Sequence, residues 1–178
     1  MLELDRLNGS LGSHPLLPPP TQFVRRFSAE STSLSVPETA VIELDRHTVV
    51  PETPESVLRQ VRSSITFLYR SGKFSPIDGR RMTARLAPRP NPYLLPYVTS
   101  QGNPSARLLT RIVREKTGRQ PKYSYGASVA DDNRLASAGV PVISIGPMGG
   151  GEHTCSEWVS RKSYRELVEI LREFVRRC

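Results

Sequence analysis

The sequence is poor in the residues that cross-link a chain or anchor it in a membrane. It has only two cysteines, Cys155 and Cys178, so nothing indicates a disulfide framework, and this scarcity fits a reducing compartment. No apolar run approaches the roughly 20 residues that span a bilayer. The first residues also lack a basic segment followed by an apolar one. We therefore expect a cytoplasmic protein with no membrane partner.

Histidine is scarce as well, which restricts metal chemistry. The chain has three histidines, His14, His47 and His153. Catalytic zinc usually has about three protein ligands and an open position, and a site for two metals needs more. No His-x-x-x-His or paired-cysteine spacing is present. A metal site at His153 would therefore have to draw on the carboxylates of Glu152 and Glu157.

Basic residues outnumber acidic ones. The sequence has 25 lysines and arginines and 17 acidic residues, which gives a net charge of +8. The basic residues are spread along predicted helices and connections. They form no basic arm, reading helix or aromatic-lined strand motif. We expect a solvated basic face and no nucleic-acid partner. With 178 residues, of which 37% are hydrophobic, the chain can form one domain or two small ones.

The first predicted domain covers residues 1–89 and begins with a helix followed by two strands. A helix-like stretch opens the chain, and the prolines at 18–20 then impose an extended backbone. Residues 21–27 and 38–49 are predicted strands, because β-branched and alternating apolar residues recur in them.

A helix and a further strand complete this domain. Thr53 is a predicted N-cap and Pro54 suits the first helical position. Gly72 suits the end of the helix, and residues 81–86 are a predicted strand. An apolar stripe recurs at helical spacing, on Val57, Val61, Ile65 and Leu68. We expect an α+β sandwich.

The second predicted domain covers residues 90–178 and alternates helix with strand. Helices are predicted at 104–117 and 132–138, and strands at 122–125 and 142–145. The last helix has two possible starts, a capping box of Ser163 with Glu166, or Ser160 as the cap. This alternation predicts half of a parallel α/β sheet.

One segment of this domain points to a site. A predicted buried strand follows Gly139, and a Gly-Gly-Gly-Glu-His sequence from Gly149 to His153 follows that strand. In open α/β sheets, ligands bind at the carboxyl ends of the strands. A phosphate cradle is discounted, because no Lys-Ser/Thr and no helix start follow the glycines.

This segment, with Glu157-Trp158-Val159 behind it, resembles the end of the co-catalytic zinc aminoacylase and carboxypeptidase family. The family includes acetylornithine deacetylase, succinyl-diaminopimelate desuccinylase and glutamate carboxypeptidase. Residues 36–55 resemble the family's inserted lid, or dimerisation, domain. The resemblance implies a zinc-dependent hydrolase of amide bonds in N-acyl amino acids or small peptides. It also implies two zinc ions in a complete relative, with His153 as the last ligand, and a homodimer formed through the lid.

The resemblance also assigns the residues near His153. It aligns Asp131 with a Ser-Asp-Ala turn of the family, although Ala130 replaces the serine. Asp131 and Asn133 are therefore candidate substrate contacts, or simply turn and capping residues. Glu157 is a candidate partner for the His153 imidazole, or a solvent-facing charge. Glu152 is a further candidate beside the histidine.

Several parts of the family pattern have no counterpart in this sequence. The other zinc ligands, the glutamate that acts as general base and the first lid strand all lie upstream of the matching region in complete relatives. The resemblance therefore implies a carboxyl-terminal part: an incomplete lid followed by the end of a parallel α/β zinc-hydrolase domain. Two alternatives stay open, a non-catalytic dimerising scaffold and a split-gene half that needs an amino-terminal partner.

Overall fold

Four helices and two small sheets make up the described part of the computed structural model, which covers residues 11–31, 34–76 and 79–178. In chain order the elements are β1 (Thr21–Ala29), β2 (Ala40–His47), α1 (Pro54–Arg70), α2 (Pro104–Thr117), α3 (Asp132–Ser137), β3 (Gly149–Gly150), β4 (Trp158–Val159) and α4 (Arg161–Arg177). They fall into two compact units. The first combines Met1–Tyr97 with Tyr125–Arg134, and the second Val98–Ser124 with Leu135–Cys178. The domain boundary after residue 89 stays a prediction, and the predicted opening helix lies outside the described residues.

An antiparallel ribbon of β1 and β2 opens the first unit and confirms both predicted strands. The ribbon runs from the pair Thr21 and His47 to the pair Ala29 and Ala40, with an irregularity in register between Val24 and Arg26. Cross-strand partners share a face of the ribbon. One face therefore carries three apolar pairs, Val24 with Leu44, Phe27 with Ile42, and Ala29 with Ala40.

Helix α1 begins and ends where the sequence predicts. The Thr53 hydroxyl accepts a hydrogen bond from the Ser56 backbone N–H at 3.2 Å, and the Ser56 hydroxyl accepts one from the Thr53 N–H at 2.9 Å. This reciprocal pair is a capping box, and Pro54 occupies the first turn. Beyond the last turn, Gly72 has a φ of 68°, a left-handed conformation that glycine adopts without a steric penalty.

The predicted strand at 81–86 is wrong. These residues form no ladder, and their backbone groups bond instead to side chains of α1. The Arg62 guanidinium donates from Nε and Nη2 to the Ala84 carbonyl, at 3.1 and 3.0 Å. The Met82 N–H donates to the Tyr69 hydroxyl at 2.7 Å. The segment therefore lies along the helix rather than extending the β1–β2 sheet.

Helices α2 and α4 pack against each other and form the core of the second unit. Leu109, Ile112 and Ile170 are buried at their contact. Ion pairs at the margins join Arg119 to Glu166 and Arg177 to Glu115. The partly buried side chains around the core are Leu108, Val113, Ile143, Ile145 and Phe174.

The ends of both helices follow local capping chemistry. The Asn103 side chain caps α2 by accepting from the Ser105 N–H at 2.9 Å, and Gly118 ends the helix at a φ of 68°. Ser160 caps α4, so the second of the two predicted starts is the correct one. The Arg177 side chain lowers the pKa of the Glu173 carboxyl, mainly through a hydrogen bond in the last turn of α4.

The predicted parallel sheet is not formed by the described residues, in which both sheets are antiparallel pairs. Residues 122–125 and 142–145 are not strands, because no neighbouring strand accepts their backbone hydrogen bonds. Ile143 and Ile145 nevertheless pack on the α2–α4 core while Ser144 is exposed, as in a strand. The fold class is therefore mixed α and β with small sheets. Within the described ranges, no helix has the length and apolar character needed to cross a membrane.

Candidate functional site

A short hairpin holds His153 at the surface of the second unit. Strands β3 and β4 pair Gly149 with Val159 and Gly150 with Trp158, and the intervening loop carries the histidine. Within the loop, the Thr154 N–H and hydroxyl both donate to the Gly151 carbonyl, at 3.1 and 2.7 Å. This local bonding gives the loop a defined shape although it is exposed.

The hairpin is fixed to the start of α4. The Ser160 N–H donates to the Met148 carbonyl at 2.8 Å, and the Met148 N–H donates to the Ser163 hydroxyl at 2.8 Å. Both serines belong to the cap and first turn of the helix. The loop that carries His153 is therefore anchored to a helix that packs on the core of the unit.

The glycine run has a steric explanation. A Cβ atom on Gly149 would lie 2.6 Å from the Trp158 carbonyl oxygen, a distance that real Cβ atoms essentially never show. Gly151 combines a φ of 71° with a Cβ position 2.9 Å from the Ser156 carbonyl oxygen. These glycines let the strands approach and the loop turn.

A single added methyl group tests this explanation. Gly149→Ala is expected to separate β3 from β4, whereas Gly146→Ala is a matched control, because nothing lies within 4 Å of its Cβ position. The measurement is amide hydrogen exchange of residues 149–159. Faster exchange in Gly149→Ala alone is the expected result. Equal exchange in both variants would contradict the steric role.

His153 itself has an unusual backbone. Its φ is 64°, and in the described ranges no other residue besides glycine has a positive φ. Such conformations are uncommon for residues with a side chain and cluster at functional sites. The histidine and its neighbours Glu152, Cys155 and Glu157 are all exposed. The strained backbone agrees with a functional histidine, and the ligand role stays a prediction.

The donors needed for zinc do not converge around this histidine. No group of three or more His, Cys, Asp or Glu residues within 11–31, 34–76 and 79–178 could hold a metal ion. Glu152 and Glu157 lie near His153 in sequence, but with it they do not complete a site. The described part of the chain therefore does not fit a zinc ion by itself.

Asp131 and Asn133 lie in the first unit, at the start of α3. The buried Asn133 accepts from the Ala130 N–H at 3.0 Å and donates to the Leu95 carbonyl at 2.8 Å. Next to it, Asp132 accepts from the Tyr97 hydroxyl at 2.7 Å. These bonds favour the turn-forming alternative for Asn133. Asp131 is exposed, and its substrate role stays a prediction.

The sequence missed these contacts to Leu95 and Tyr97. They join residues that lie more than thirty positions apart in the chain. The proline-rich segment from 88 to 97 is the sequence feature that could have indicated them. Its tyrosines predict packing, but the sequence does not show which groups they bond to.

Comparison with known proteins identifies the class of fold. No family model matches the chain. Its fold is similar to that of part of an M20 family metallo-carboxypeptidase. The match is to an M20 family metallo-carboxypeptidase from Sulfolobus solfataricus, with a TM-score of 0.60 and 20% identity, covering 96% of this chain and 41% of that one.

A sequence relative makes the comparison more particular. The chain is 23% identical over 156 residues to succinyl-diaminopimelate desuccinylase of Hydrogenovibrio crunogenus, covering 86% of this chain and 38% of that protein. The predicted resemblance to the zinc aminoacylase and carboxypeptidase family is thus confirmed over most of the chain. The chain spans about two fifths of the length of either relative.

Proposed function

We propose that this chain is the carboxyl-terminal part of a zinc-dependent hydrolase that cleaves amide bonds in N-acyl amino acids or small peptides. The observation that carries the proposal is the fold match, which covers 96% of this chain but only 41% of the metallo-carboxypeptidase. The likeness to a desuccinylase supports an acylated amino-acid substrate. A cytoplasmic location agrees with the scarcity of cysteine.

In this proposal, His153 is a metal ligand whose companions lie outside the described residues. Its strained backbone on an anchored hairpin supports a positioned side chain. Three donors do not converge among the residues described, so the proposal places the other ligands in a second segment. An amino-terminal half, either in the same polypeptide or encoded separately, would supply the other ligands and the general base.

Zinc calorimetry and hydrolysis assays test this proposal together. The chain is prepared alone and together with an amino-terminal segment that carries the family's other zinc ligands, and is assayed with N-succinyl and N-acetyl amino acids and dipeptides. Because one histidine is too few for a zinc site, we expect no tight zinc binding by the chain alone. With the second segment, we expect both zinc binding and hydrolysis.

Histidine variants of the complex identify the ligand. His153→Ala is expected to weaken zinc binding by at least about 100-fold, since even loss of an outer-shell partner costs about 10- to 100-fold. His47→Ala is the matched control, because His47 lies on the β1–β2 ribbon beside Phe23. Equal zinc affinity and hydrolysis in the wild type and His153→Ala would contradict the proposal.

A specific observation favours a second candidate, a dimerising scaffold without activity. Phe27 and Ile42, paired on one face of the ribbon, are 64% and 55% exposed. A two-stranded ribbon is marginally stable alone in water, and contact with a second copy would cover this face. Sedimentation of Phe27→Asp tests it, with Ser28→Asp on the opposite face as the control. The scaffold would be favoured if the dimer is lost in Phe27→Asp but not in Ser28→Asp, and if the chain hydrolyses no substrate either alone or with the second segment.

A further inference from the structure

A groove on α1 is independent of the His153 hairpin and has a chemistry of its own. It is a shallow cavity of about 440 Å³ lined by Arg59, Arg62, Ser63, Thr66, Phe67 and Arg70. Small-molecule sites measure about 300–1,000 Å³. The lining residues recur at three- and four-residue spacing and therefore share one helix face, roughly 16 Å long at the rise of an α-helix.

Most of the positive charge of this region has no carboxylate partner among the residues that the structure describes. Residues 54–89 contain eight basic residues and only two acidic ones. Among the residues described, the carboxylate partner in this region is Glu38, paired with Arg80. In the second unit, by contrast, arginines of the α2–α4 contact pair with glutamates, as Arg119 does with Glu166. The arginines of the groove are thus available to an external anion.

Contacts with neighbouring residues restrain several of the cationic side chains. Arg62 is fixed by its two hydrogen bonds to the Ala84 carbonyl, which occupy Nε and Nη2 and leave Nη1 available. The Lys73 ammonium lies 6.0 Å from the centre of the Phe67 ring, and the Arg81 guanidinium 5.2 Å from that of Tyr69. A cation held in place loses less conformational entropy when it binds an anion.

We propose that this groove binds a small soluble anion that carries two or more phosphate groups. The planar guanidinium fork matches phosphate oxygens in pairs, and serine hydroxyls donate to the same oxygens. Arg59 and Arg62, about one helical turn apart, are spaced for neighbouring phosphates of one ligand, and Arg70 adds positive charge at the other end of the groove. The proposal does not depend on the hydrolase activity.

Two features favour a small ligand over a nucleic acid. The groove is short, and sites for single-stranded nucleic acid combine a longer basic track with several aromatic rings on which bases stack. Phe67 is the aromatic residue that lines the groove, and the Lys73 ammonium already lies near its ring.

Calorimetric titration of the full chain with inorganic tripolyphosphate at low ionic strength tests the proposal. The double variant Arg59→Gln/Arg70→Gln is expected to bind at least about tenfold more weakly, because each charge-assisted hydrogen bond is worth about a tenfold change or more. Arg107→Gln/Arg111→Gln removes the same charge from exposed positions of α2 and is the matched control. We expect less than about a twofold change there, because those charges lie outside the groove.

Further arms separate the remaining interpretations. Orthophosphate is expected to bind more weakly than tripolyphosphate, and equal affinity would overturn the need for several phosphates. An equal loss of tripolyphosphate affinity in both double variants would show that binding depends on net charge, and would overturn the groove as the binding site. Tighter, groove-dependent binding of a short single-stranded oligonucleotide would overturn the small ligand. If the glutamine variant fails to fold, Arg59→Lys/Arg70→Lys takes its place, because lysine keeps the positive charge but lacks the guanidinium fork. This variant is expected to bind tripolyphosphate more weakly. Unchanged affinity would overturn the proposal.

Discussion

Replacing Ile112 with alanine is expected to lower the free energy of unfolding of the second unit by about 2–5 kcal/mol. Ile112 has no exposed surface and packs with Leu109 and Ile170 where α2 meets α4. The alanine removes buried apolar atoms and leaves a cavity that two capped helices cannot readily close. Urea unfolding followed by circular dichroism measures the change.

The matched control for this prediction lies on the other helix of the same core. Val175 on α4 is 75% exposed, so Val175→Ala is expected to change the free energy of unfolding by less than about 0.5 kcal/mol. Similar midpoints for the two variants would show that the α2–α4 contact is not the core of the unit.

The elements that the sequence predicts correctly are those set by local chemistry. Helix α1 starts at a threonine and a proline, and α2 lies between Asn103 and Gly118, all recognisable in the sequence. The choice between Ser160 and Ser163 for α4 was open in the sequence. The structure settles it because the Ser163 hydroxyl donates to the Ser160 carbonyl from inside the first turn.

Strands were predicted less reliably, because a strand exists only with a partner. Strands β1 and β2 are close in sequence, and both form where strands are predicted. The segments at 81–86 and 142–145 have suitable residues, but their backbone groups bond elsewhere, to Tyr69 in one case and to the Thr99 hydroxyl at 3.2 Å in the other. The periodicity of a sequence indicates which face of a segment is apolar, but it does not indicate which strand, if any, will pair with that segment.

The candidate site shows the same division. The glycine-rich loop around His153 follows from composition, whereas the left-handed backbone of the histidine depends on the pairing of β3 with β4. The sequence does not single out the basic groove, because basic residues recur along most of the chain. The helical spacing of Arg59, Arg62 and Arg70 was a signal that could have found it.

Breaking the buried ion pair of Arg46 with Glu52 is expected to lower the free energy of unfolding of the first unit by about 3–5 kcal/mol. The two side chains are only 5% and 10% exposed. Glu52 also accepts from the Val49 N–H at 3.1 Å, so it fixes the turn between β2 and α1. Glu52→Ala leaves the Arg46 charge buried without a partner, and thermal unfolding measures the loss.

The remaining donors of Arg46 give this prediction a second part. Its Nε and Nη1 atoms are buried without hydrogen-bond partners, as is Nε2 of Gln22, the cross-strand neighbour. Because desolvation of the guanidinium is incompletely offset, Arg46→Met with Glu52→Leu is expected to cost less than Glu52→Ala alone, and the Val49 N–H, which loses its acceptor, accounts for most of what remains. The exposed pair of Arg80 with Glu38 is the control, and Glu38→Ala is expected to cost less than about 1 kcal/mol. Equal losses for Glu52→Ala and Glu38→Ala would mean that burial does not set the strength of the Arg46 pair.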